Sequence, residues 1–263
     1  MYPFNYHRPG TLADAVKLAG ADEAKIMAGG MTRLPTMKQR LAAPSDIVDL
    51  NGLGLSGITV ASGKVTIGAM TRHVDVATSA DVQRALPALA ELAGMIGDPA
   101  VRNRGTMGGS VANNDPSADY PSACLALGAT IHTNKRAIAA DDYFQGMFET
   151  ALEPGEILTK ISFPVPDKAN YQKFRHPASR YAIVGVFVAK KGADVRVAVT
   201  GAGADGVFRA TNLEAALKAN FSAGALDGQV ISADGLNTDI HADAAYRAHL
   251  IVVMAKRAVA AAN

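Results

Sequence analysis

The chain has 263 residues, of which 49% are hydrophobic and 19% are charged. This composition excludes a disordered chain and leaves enough length for one large domain or two modest ones. The net charge of +2 gives no general attraction to nucleic acid or to an anionic membrane, so neither partner is expected. The N-terminus carries no signal pattern, and no apolar run approaches the roughly 18 residues needed for membrane insertion. We therefore expect a cytoplasmic protein.

Cys124 is the one cysteine of the sequence. A single thiol cannot build a disulfide framework, a cysteine-rich zinc site or an iron–sulfur cluster with about four cysteine ligands. Its apolar neighbours favour a buried, inert thiol. The six histidines are scattered, so no metal site is expected.

The N-terminal half alternates between short helices and short strands. Thr11 and Asp14 predict a capped helix that ends at Gly20. Apolar residues with a period near 3.6 predict one or two helices between Val74 and Ile96, and a further helix is predicted over 121–127. The predicted strands cover residues 24–28, 47–50, 58–61, 64–69, 129–133 and 156–163.

The pattern changes after residue 163. Prolines at 164, 166 and 177 interrupt the chain, and β-branched runs predict strands over 182–189 and 195–200. We place a domain boundary near residue 168. Beyond it, Thr211 with Glu214 predicts a capping box, and an alanine-rich run predicts a long helix over 244–261.

Two glycine-rich segments are the strongest candidates for function. The first is Gly29-Gly30-Met31-Thr32, which follows a predicted strand and whose amides could converge on a phosphate. Taken alone, this tetrapeptide favours an ordinary Gly-Gly turn. The second covers residues 97–119. It is mostly polar and is predicted to be irregular, and so long an irregular stretch is usually functional in a compact domain.

A third glycine pattern, Gly201-Ala202-Gly203-Ala204-Asp205-Gly206, fits the dinucleotide fingerprint G-x-G-x-x-G. In that fingerprint the last glycine lies in the first turn of a helix that faces the pyrophosphate. Here the next helix is predicted no earlier than Thr211. We therefore do not expect a nucleotide site at this segment.

Six ordered segments resemble one family, the flavin-binding medium subunits of molybdenum hydroxylases, which include carbon monoxide dehydrogenase and xanthine dehydrogenase. RNRGTMGGS and NNDPSADYP resemble the second flavin loop of that family, and AGGMTRLPTMK resembles its first. The resemblance extends over essentially the whole chain through YPFNYHRPGTLADAVKL, IGAMTRHVDV and HADAAYRAHLIVVMAKRAV. It implies an oxidoreductase subunit with FAD as its cofactor.

The resemblance also implies the fold and the partners. The expected fold is α+β, with a two-lobed PCMH-type FAD-binding domain over 1–167 and a small α+β domain of antiparallel sheet and helices over 168–263. The lobes would cover about 1–55 and 56–167. The expected partners are a large subunit that holds the molybdenum cofactor (molybdopterin) and a small iron–sulfur subunit with [2Fe-2S] clusters, in a dimer of heterotrimers. The alternatives are a self-contained flavin oxidase or reductase of the same fold and a non-catalytic flavin-binding assembly protein.

Site residues follow from the resemblance position by position, and none of them is catalytic or binds a metal. Backbone amides near Gly30 would hold the pyrophosphate, Asp119 would bind flavin hydroxyl groups, and Tyr181 would lie near the isoalloxazine. Met31 stands where related covalent flavoproteins often have histidine, so we expect non-covalent FAD. The cofactor-binding set is Ala28, Gly29, Gly30, Met31, Thr32, Arg33, Leu34, Thr106, Gly108, Gly109, Ser110, Asn114, Asp119, Leu158, Lys173 and Tyr181.

Several of these side chains have simpler interpretations. Asp119 could cap the helix that begins near Pro121, Lys173 could be a solvated strand residue, and Tyr181 could be packed core with a satisfied hydroxyl. Arg102 and Arg104 could be surface charges, could lock the loop conformation, or could meet a partner subunit. Arg180 precedes Tyr181 where the family often has an acid, which leaves the tuning of the flavin potential open.

Overall fold

The computed structural model describes residues 1–262, which fold into helices and strands. The strands are β1 (Asn5–His7), β2 (Ala24–Met27), β3 (Asp46–Asp49), β4 (Ile58–Ala61), β5 (Lys64–Gly68), β6 (Thr130–Thr133), β7 (Ala137–Ala139), β8 (Phe144–Gly146), β9 (Glu149–Thr150), β10 (Leu158–Pro164), β11 (Lys168–Arg175), β12 (Ala182–Lys191), β13 (Asp194–Thr200) and β14 (Phe208–Arg209). The helices are α1 (Leu12–Ala19), α2 (Arg33–Lys38), α3 (His73–Thr78), α4 (Ala80–Ala85), α5 (Pro87–Gly94), α6 (Pro99–Arg102), α7 (Met107–Asn113), α8 (Tyr120–Ala126), α9 (Ala140–Tyr143), α10 (Thr211–Ala219) and α11 (Ala244–Ala261).

The strands form three main sheets and one hairpin. The first sheet is parallel, with the order β1-β3-β2. The second is antiparallel, with the order β4-β5-β10-β6-β7, and the third is antiparallel, with the order β11-β12-β13-β14. Strands β8 and β9 pair as a separate hairpin. The third sheet begins at Lys168, where the sequence pattern changes.

Strand β12 is buried on both faces. Phe187 belongs to a large core that also contains the inner residues of the second sheet and of helices α5 and α8. Val186 and Val188 belong to a second core, closed by α10 and α11. Alternate residues of one strand therefore stabilise two different cores, which explains why its sequence is continuously apolar instead of alternating.

The strongest sequence patterns are confirmed. The Thr11 side chain accepts a hydrogen bond from the Asp14 amide and caps α1, and the alanine-rich run forms α11 over Ala244–Ala261. Pro87 occupies the first turn of α5, where its missing N–H costs no helical hydrogen bond. In residues 1–262, no helix is both long enough and apolar enough to cross a bilayer.

Three local predictions are wrong. The span 74–96 holds the three helices α3, α4 and α5 where one or two were predicted, because Ser79 and Leu86 break the helical run. The segment 97–119 is not irregular, because it contains α6 and α7. The capping box at Thr211 does not form: Ala210 is the N-cap residue and no side chain caps the helix. The Glu214 carboxylate instead accepts hydrogen bonds from the Val197 amide and from Arg209, both outside the helix. The Glu214 side chain therefore forms an ion pair with Arg209 and does not take part in a cap of α10.

Candidate functional site

The first glycine segment, residues 28–34, forms a turn between β2 and α2 that we call loop one. Gly30 has a φ of 77°, in the region that glycine adopts without strain. Its carbonyl accepts a hydrogen bond from the Leu34 amide at 2.9 Å. The amides of residues 29–33 donate to no protein acceptor in the part of the chain that the structure describes. Successive free amides around a residue with positive φ form a concave site that suits an anion.

The second glycine segment differs from loop one because its amides donate hydrogen bonds within the protein. We define loop two as residues 104–110, which end in the first turn of α7. The Gly108 amide donates to the Ala69 carbonyl at 2.9 Å, and the Ser110 amide donates to the Thr106 carbonyl at 3.0 Å. The Thr106 hydroxyl accepts from the Gly109 amide at 3.2 Å and caps the helix. These amides are therefore already bonded within the protein.

The two loops contact each other, and glycine makes the contact possible. A Cβ atom on Gly29 would lie 2.0 Å from the carbonyl oxygen of Arg104, which no substitution could tolerate without movement. A Cβ atom on Gly109 would lie 3.4 Å from the Cβ of Ala28. The structure thus brings the two predicted flavin loops side by side.

Arg102 stabilises the entry to loop two. Its guanidinium donates to the carbonyls of Ile96 and Gly97 at 3.0 and 3.1 Å. Of the interpretations offered for the two arginines, the conformational one is confirmed for Arg102. Arg104 is exposed.

His73 lies behind loop two, a position that the sequence analysis did not identify. A Cβ on Gly105 would lie 2.5 Å from His73 Nε2, and the His73 amide donates to the Gly105 carbonyl at 3.1 Å. Burial, together with the charge of Arg102, lowers the pKa of His73 to about 4. His73 is therefore a neutral packing residue at neutral pH.

Asp119 and Lys173 form a buried ion pair between the predicted FAD-binding domain and the third sheet. The Lys173 ammonium donates to Asp119 Oδ2 at 2.9 Å and to the Met95 carbonyl at 3.3 Å, and its side chain is 1% exposed. Asp119 makes no side-chain cap to α8. Both simpler interpretations are therefore wrong, because the Asp119 side chain bonds no amide of α8 and Lys173 is not solvated. Burial raises the pKa of Asp119, while Lys173 and a tyrosine hydroxyl oppose that rise.

That tyrosine is Tyr171, which the sequence analysis missed. Its hydroxyl donates to Asp119 Oδ1 at 2.5 Å, and the residue is 1% exposed. A signal was available: residues two apart on a strand point to the same face, so Tyr171 and Lys173 were bound to lie together on β11.

Tyr181 stands at the end of the turn between β11 and β12. It is 50% exposed, so the interpretation as packed core is wrong. Burial of part of the ring, with the negative charges of Asp115 and Asp119, raises the pKa of its hydroxyl. The preceding residue, Arg180, has a φ of 62°, and its amide donates to the His176 carbonyl. The turn therefore presents an aromatic face near the two carboxylates.

Asn114 and Leu158 have internal roles. Asn114 ends α7 with a φ of 43°, and its side-chain nitrogen donates to the carbonyls of Gly146 and Glu149 at 2.8 and 2.9 Å. It thereby holds the hairpin of β8 and β9, and its Oδ1 is buried without a hydrogen-bond partner among residues 1–262. Leu158 is 5% exposed and pairs with Thr133 in the second sheet.

Two further sequence interpretations are settled by the structure. Cys124 is fully buried and burial raises its thiol pKa, so the thiol is inert at neutral pH. The fingerprint-like glycines at 201–206 are followed by a helix only at Thr211, and the Gly201 amide donates to the Pro116 carbonyl. The prediction that no helix follows this pattern before Thr211 is confirmed.

Comparison with known proteins supports one family. Residues 2–166 match the sequence model described as the FAD binding domain in molybdopterin dehydrogenase. The carbon monoxide dehydrogenase medium chain of Hydrogenophaga pseudoflava is 34% identical over 98% of this chain and 96% of its own length. The nicotine 6-hydroxylase medium subunit of Paenarthrobacter nicotinovorans is also 34% identical, again over 98% and 96% of the two chains.

The fold gives the same result. The structure of reconstituted carbon monoxide dehydrogenase from Oligotropha carboxidovorans superposes with a TM-score of 0.89 at 34% identity, covering 98% of this chain and 96% of that one. The α+β fold expected from the resemblance is therefore confirmed. The chain belongs to the family of FAD-binding medium subunits of molybdenum hydroxylases, and it is an oxidoreductase subunit.

Proposed function

We propose that this chain is the electron-transfer subunit of a molybdenum hydroxylase complex and binds FAD non-covalently. A large partner subunit would hold the molybdenum cofactor, and a small partner subunit would hold [2Fe-2S] clusters. FAD, when bound, can accept and release one or two electrons, which suits transfer from such clusters to an external acceptor. The observation that carries the proposal is the row of five free amides at residues 29–33, packed directly against loop two.

The residues of the chain fit the charges of FAD. A pyrophosphate is a dianion, and the free amides of loop one can donate to it without breaking any hydrogen bond within the protein. Arg33, whose pKa is lowered by partial burial, adds positive charge at the start of α2. Thr106, Gly108, Gly109 and Ser110 would form the opposite wall. Because the amides of Gly108, Gly109 and Ser110 are bonded internally, we assign this wall close packing, with the Ser110 hydroxyl as its polar contact.

The sugar and ring portions would meet the second half of the site. Asp119 has lone pairs left after its two hydrogen bonds, and Lys173 has one ammonium hydrogen left, so both can still bond hydroxyl groups. The exposed ring of Tyr181 would cover the isoalloxazine. Met31 is 38% exposed beside the amides and has no nucleophilic group, which supports non-covalent binding.

The partners follow from what the chain lacks. With one cysteine, and that one buried, the chain cannot ligate a cluster of its own, so electrons would arrive from another subunit. We propose a heterotrimer that pairs into a dimer and works in the cytoplasm. The substrate would be set elsewhere, because two relatives of equal identity carry the names carbon monoxide dehydrogenase and nicotine 6-hydroxylase.

The test of electron transfer is stopped-flow absorbance on the assembled complex, with and without flavin. A cognate substrate should bleach the flavin of the complete complex. In the flavin-free complex the iron–sulfur centres should still be reduced, while turnover with the external acceptor stops. Rapid reduction of the isolated, flavin-loaded chain by an aldehyde, purine or N-heterocycle would contradict the proposal and support a self-contained oxidase. Assembly of an active complex without flavin in this chain would support the assembly-protein alternative.

The mode of flavin attachment has a separate test. Acid precipitation of the yellow protein should release all of its colour into the supernatant, and chromatography should identify the released flavin as FAD. Colour retained in the pellet would contradict non-covalent binding. FMN in the supernatant would contradict the pyrophosphate role of loop one.

A further inference from the structure

The Tyr171 hydroxyl donates a hydrogen bond to one oxygen of the Asp119 carboxylate in the protein interior. The hydroxyl and Asp119 Oδ1 are 2.5 Å apart, and Lys173 occupies the other carboxylate oxygen at 2.9 Å. Tyr171 and Asp119 are at most 4% exposed. The carboxylate therefore has two fixed donors, both from strand β11, and water does not substitute for either.

Gly185 leaves the room that the hydroxyl needs. It lies opposite Lys173 on one side and Thr200 on the other in the third sheet. A Cβ on Gly185 would be 2.2 Å from the Tyr171 hydroxyl oxygen and 2.9 Å from a methyl carbon of Thr200. The Thr200 hydroxyl in turn donates to the Ala118 carbonyl at 2.6 Å and lies 3.0 Å from the Pro116 carbonyl oxygen, which fixes the segment that carries Asp119. Three adjacent strands thus define the position of one carboxylate.

The charge of this group depends on whether Asp119 is ionised. When it is, the carboxylate and the Lys173 ammonium cancel; when it is protonated, Lys173 is an unpaired buried cation. Among residues 1–262, the phenols of Tyr120 and Tyr181 also interact with the charge of Asp119, and Asp115, on the same segment as Asp119, interacts with Tyr181. None of them supplies a second positive charge. A hydrogen bond donated to a carboxylate favours its ionised form, so Tyr171 helps to keep the pair neutral.

We propose that Tyr171 is a positioning residue of the flavin site, which fixes the Asp119 carboxylate and keeps the Asp119–Lys173 pair neutral beside the flavin. The inference rests on the proposed function, because it requires FAD at this site. Without the hydroxyl, Asp119 takes up a proton at a higher pH. Lys173 then presents a net positive charge, which favours the extra negative charge of a reduced flavin and raises the midpoint potential.

The test compares Tyr171→Phe with Tyr6→Phe in the full-length protein. Tyr6 serves as the control because its hydroxyl also donates to a carboxylate, that of Asp49, at 2.5 Å, while the other oxygen of Asp49 accepts from the neutral Asn51 side chain. The midpoint potential of bound FAD is measured by equilibration with a reference dye from pH 6 to pH 9. Tyr171→Phe should bind reduced FAD about tenfold more tightly relative to oxidised FAD, which is about 30 mV for a two-electron couple.

The upward shift should be largest at low pH and should fade as pH rises, because Asp119 loses its added proton. Tyr6→Phe should match the wild type throughout. A potential of Tyr171→Phe equal to that of the wild type at every pH, with FAD bound, would overturn the proposal and leave Tyr171 a packing residue. If the folded wild type itself binds no FAD, the proposed function fails instead, and the two failures are thereby distinguished.

Gly185→Ala covers the case in which Tyr171→Phe does not fold. The added Cβ displaces the Tyr171 hydroxyl from Asp119 while the aromatic ring stays, so the same rise in potential is expected. Failure of both variants to fold would assign the hydrogen bond to folding alone and would also overturn the proposal.

Discussion

Loop one and loop two carry similar glycine-rich sequences, but glycine serves a different purpose in each. In loop one, Gly30 allows a positive φ that leaves a row of amides free. In loop two, Gly108 allows α7 to approach Ala69 so closely that the Gly108 amide donates a hydrogen bond to the Ala69 carbonyl. Loop one keeps its donors free, whereas loop two uses its donors in packing. The number of glycines does not distinguish the two loops. The hydrogen-bond acceptor of each backbone N–H does.

The largest effect should come from Gly108→Ala. The new Cβ would lie 2.5 Å from the Cβ of Ala69 and 2.8 Å from its backbone, so α7 would have to move away from the end of β5. We expect a loss of about 3 kcal/mol in the free energy of unfolding, measured by urea denaturation. Gly94→Ala is the control, because its Cβ would find its nearest neighbour at 4.0 Å within an ordinary helix. Equal stability of the two variants would show that loop two is not tightly packed.

Removal of flavin should separate the loops next. In hydrogen exchange, the amides of residues 29–33 should exchange rapidly in the flavin-free protein. With FAD at about 100 times its dissociation constant, they should slow roughly hundredfold, equivalent to about 2.7 kcal/mol. Amides 108–110 should be protected in both states because they already donate within the protein. The reverse pattern would move the binding role to loop two.

Gly30→Ala should weaken FAD binding with little effect on the fold. A residue with a side chain at a φ of 77° costs about 1–2 kcal/mol, and the neighbour that its Cβ meets is the flexible end of Leu34. We expect about tenfold weaker FAD binding by fluorescence titration. Gly192→Ala introduces similar strain at a φ of 57° in an open turn between β12 and β13. If this control weakened FAD binding equally, the effect would reflect general destabilisation.

The smallest effect should come from Thr106→Ala, which removes the cap of α7. Loss of such a cap costs about 1 kcal/mol in the free energy of unfolding. Thr11→Ala removes the equivalent cap of α1 and should cost a similar amount. FAD affinity should fall only for Thr106→Ala, because only α7 carries loop two. Unchanged affinity would show that small shifts of α7 do not reach the flavin.

The sequence predicts best where local and long-range forces agree. Helix α11 and the Thr11 cap are examples, because alanine propensity and capping act whatever lies nearby. Helix α7 was missed because Gly108 and Gly109 are poor helix formers, and the helix exists through its contact with Ala69. The cap of α10 failed for the same kind of reason, since Arg209 and the Val197 amide hold Glu214 elsewhere.

The candidate site divides in the same way. The backbone features of loop one followed from the order of strand, glycines and helix. The ion pair between Asp119 and Lys173 could not be predicted from the sequence pattern. These residues are 54 positions apart and meet only when the third sheet packs on α5 and α8. Tyr171 was accessible through strand periodicity alone, once Lys173 had been placed on the strand.

The large core has a consequence for how this protein is divided. It contains Tyr171, Phe187 and Ala198 of the third sheet, although the matching family segment ends at residue 166. A chain cut at that point would expose the apolar residues that these side chains cover, and would remove both hydrogen-bond donors of the Asp119 carboxylate. We therefore expect that the segment matched by the family model would not fold stably without the third sheet.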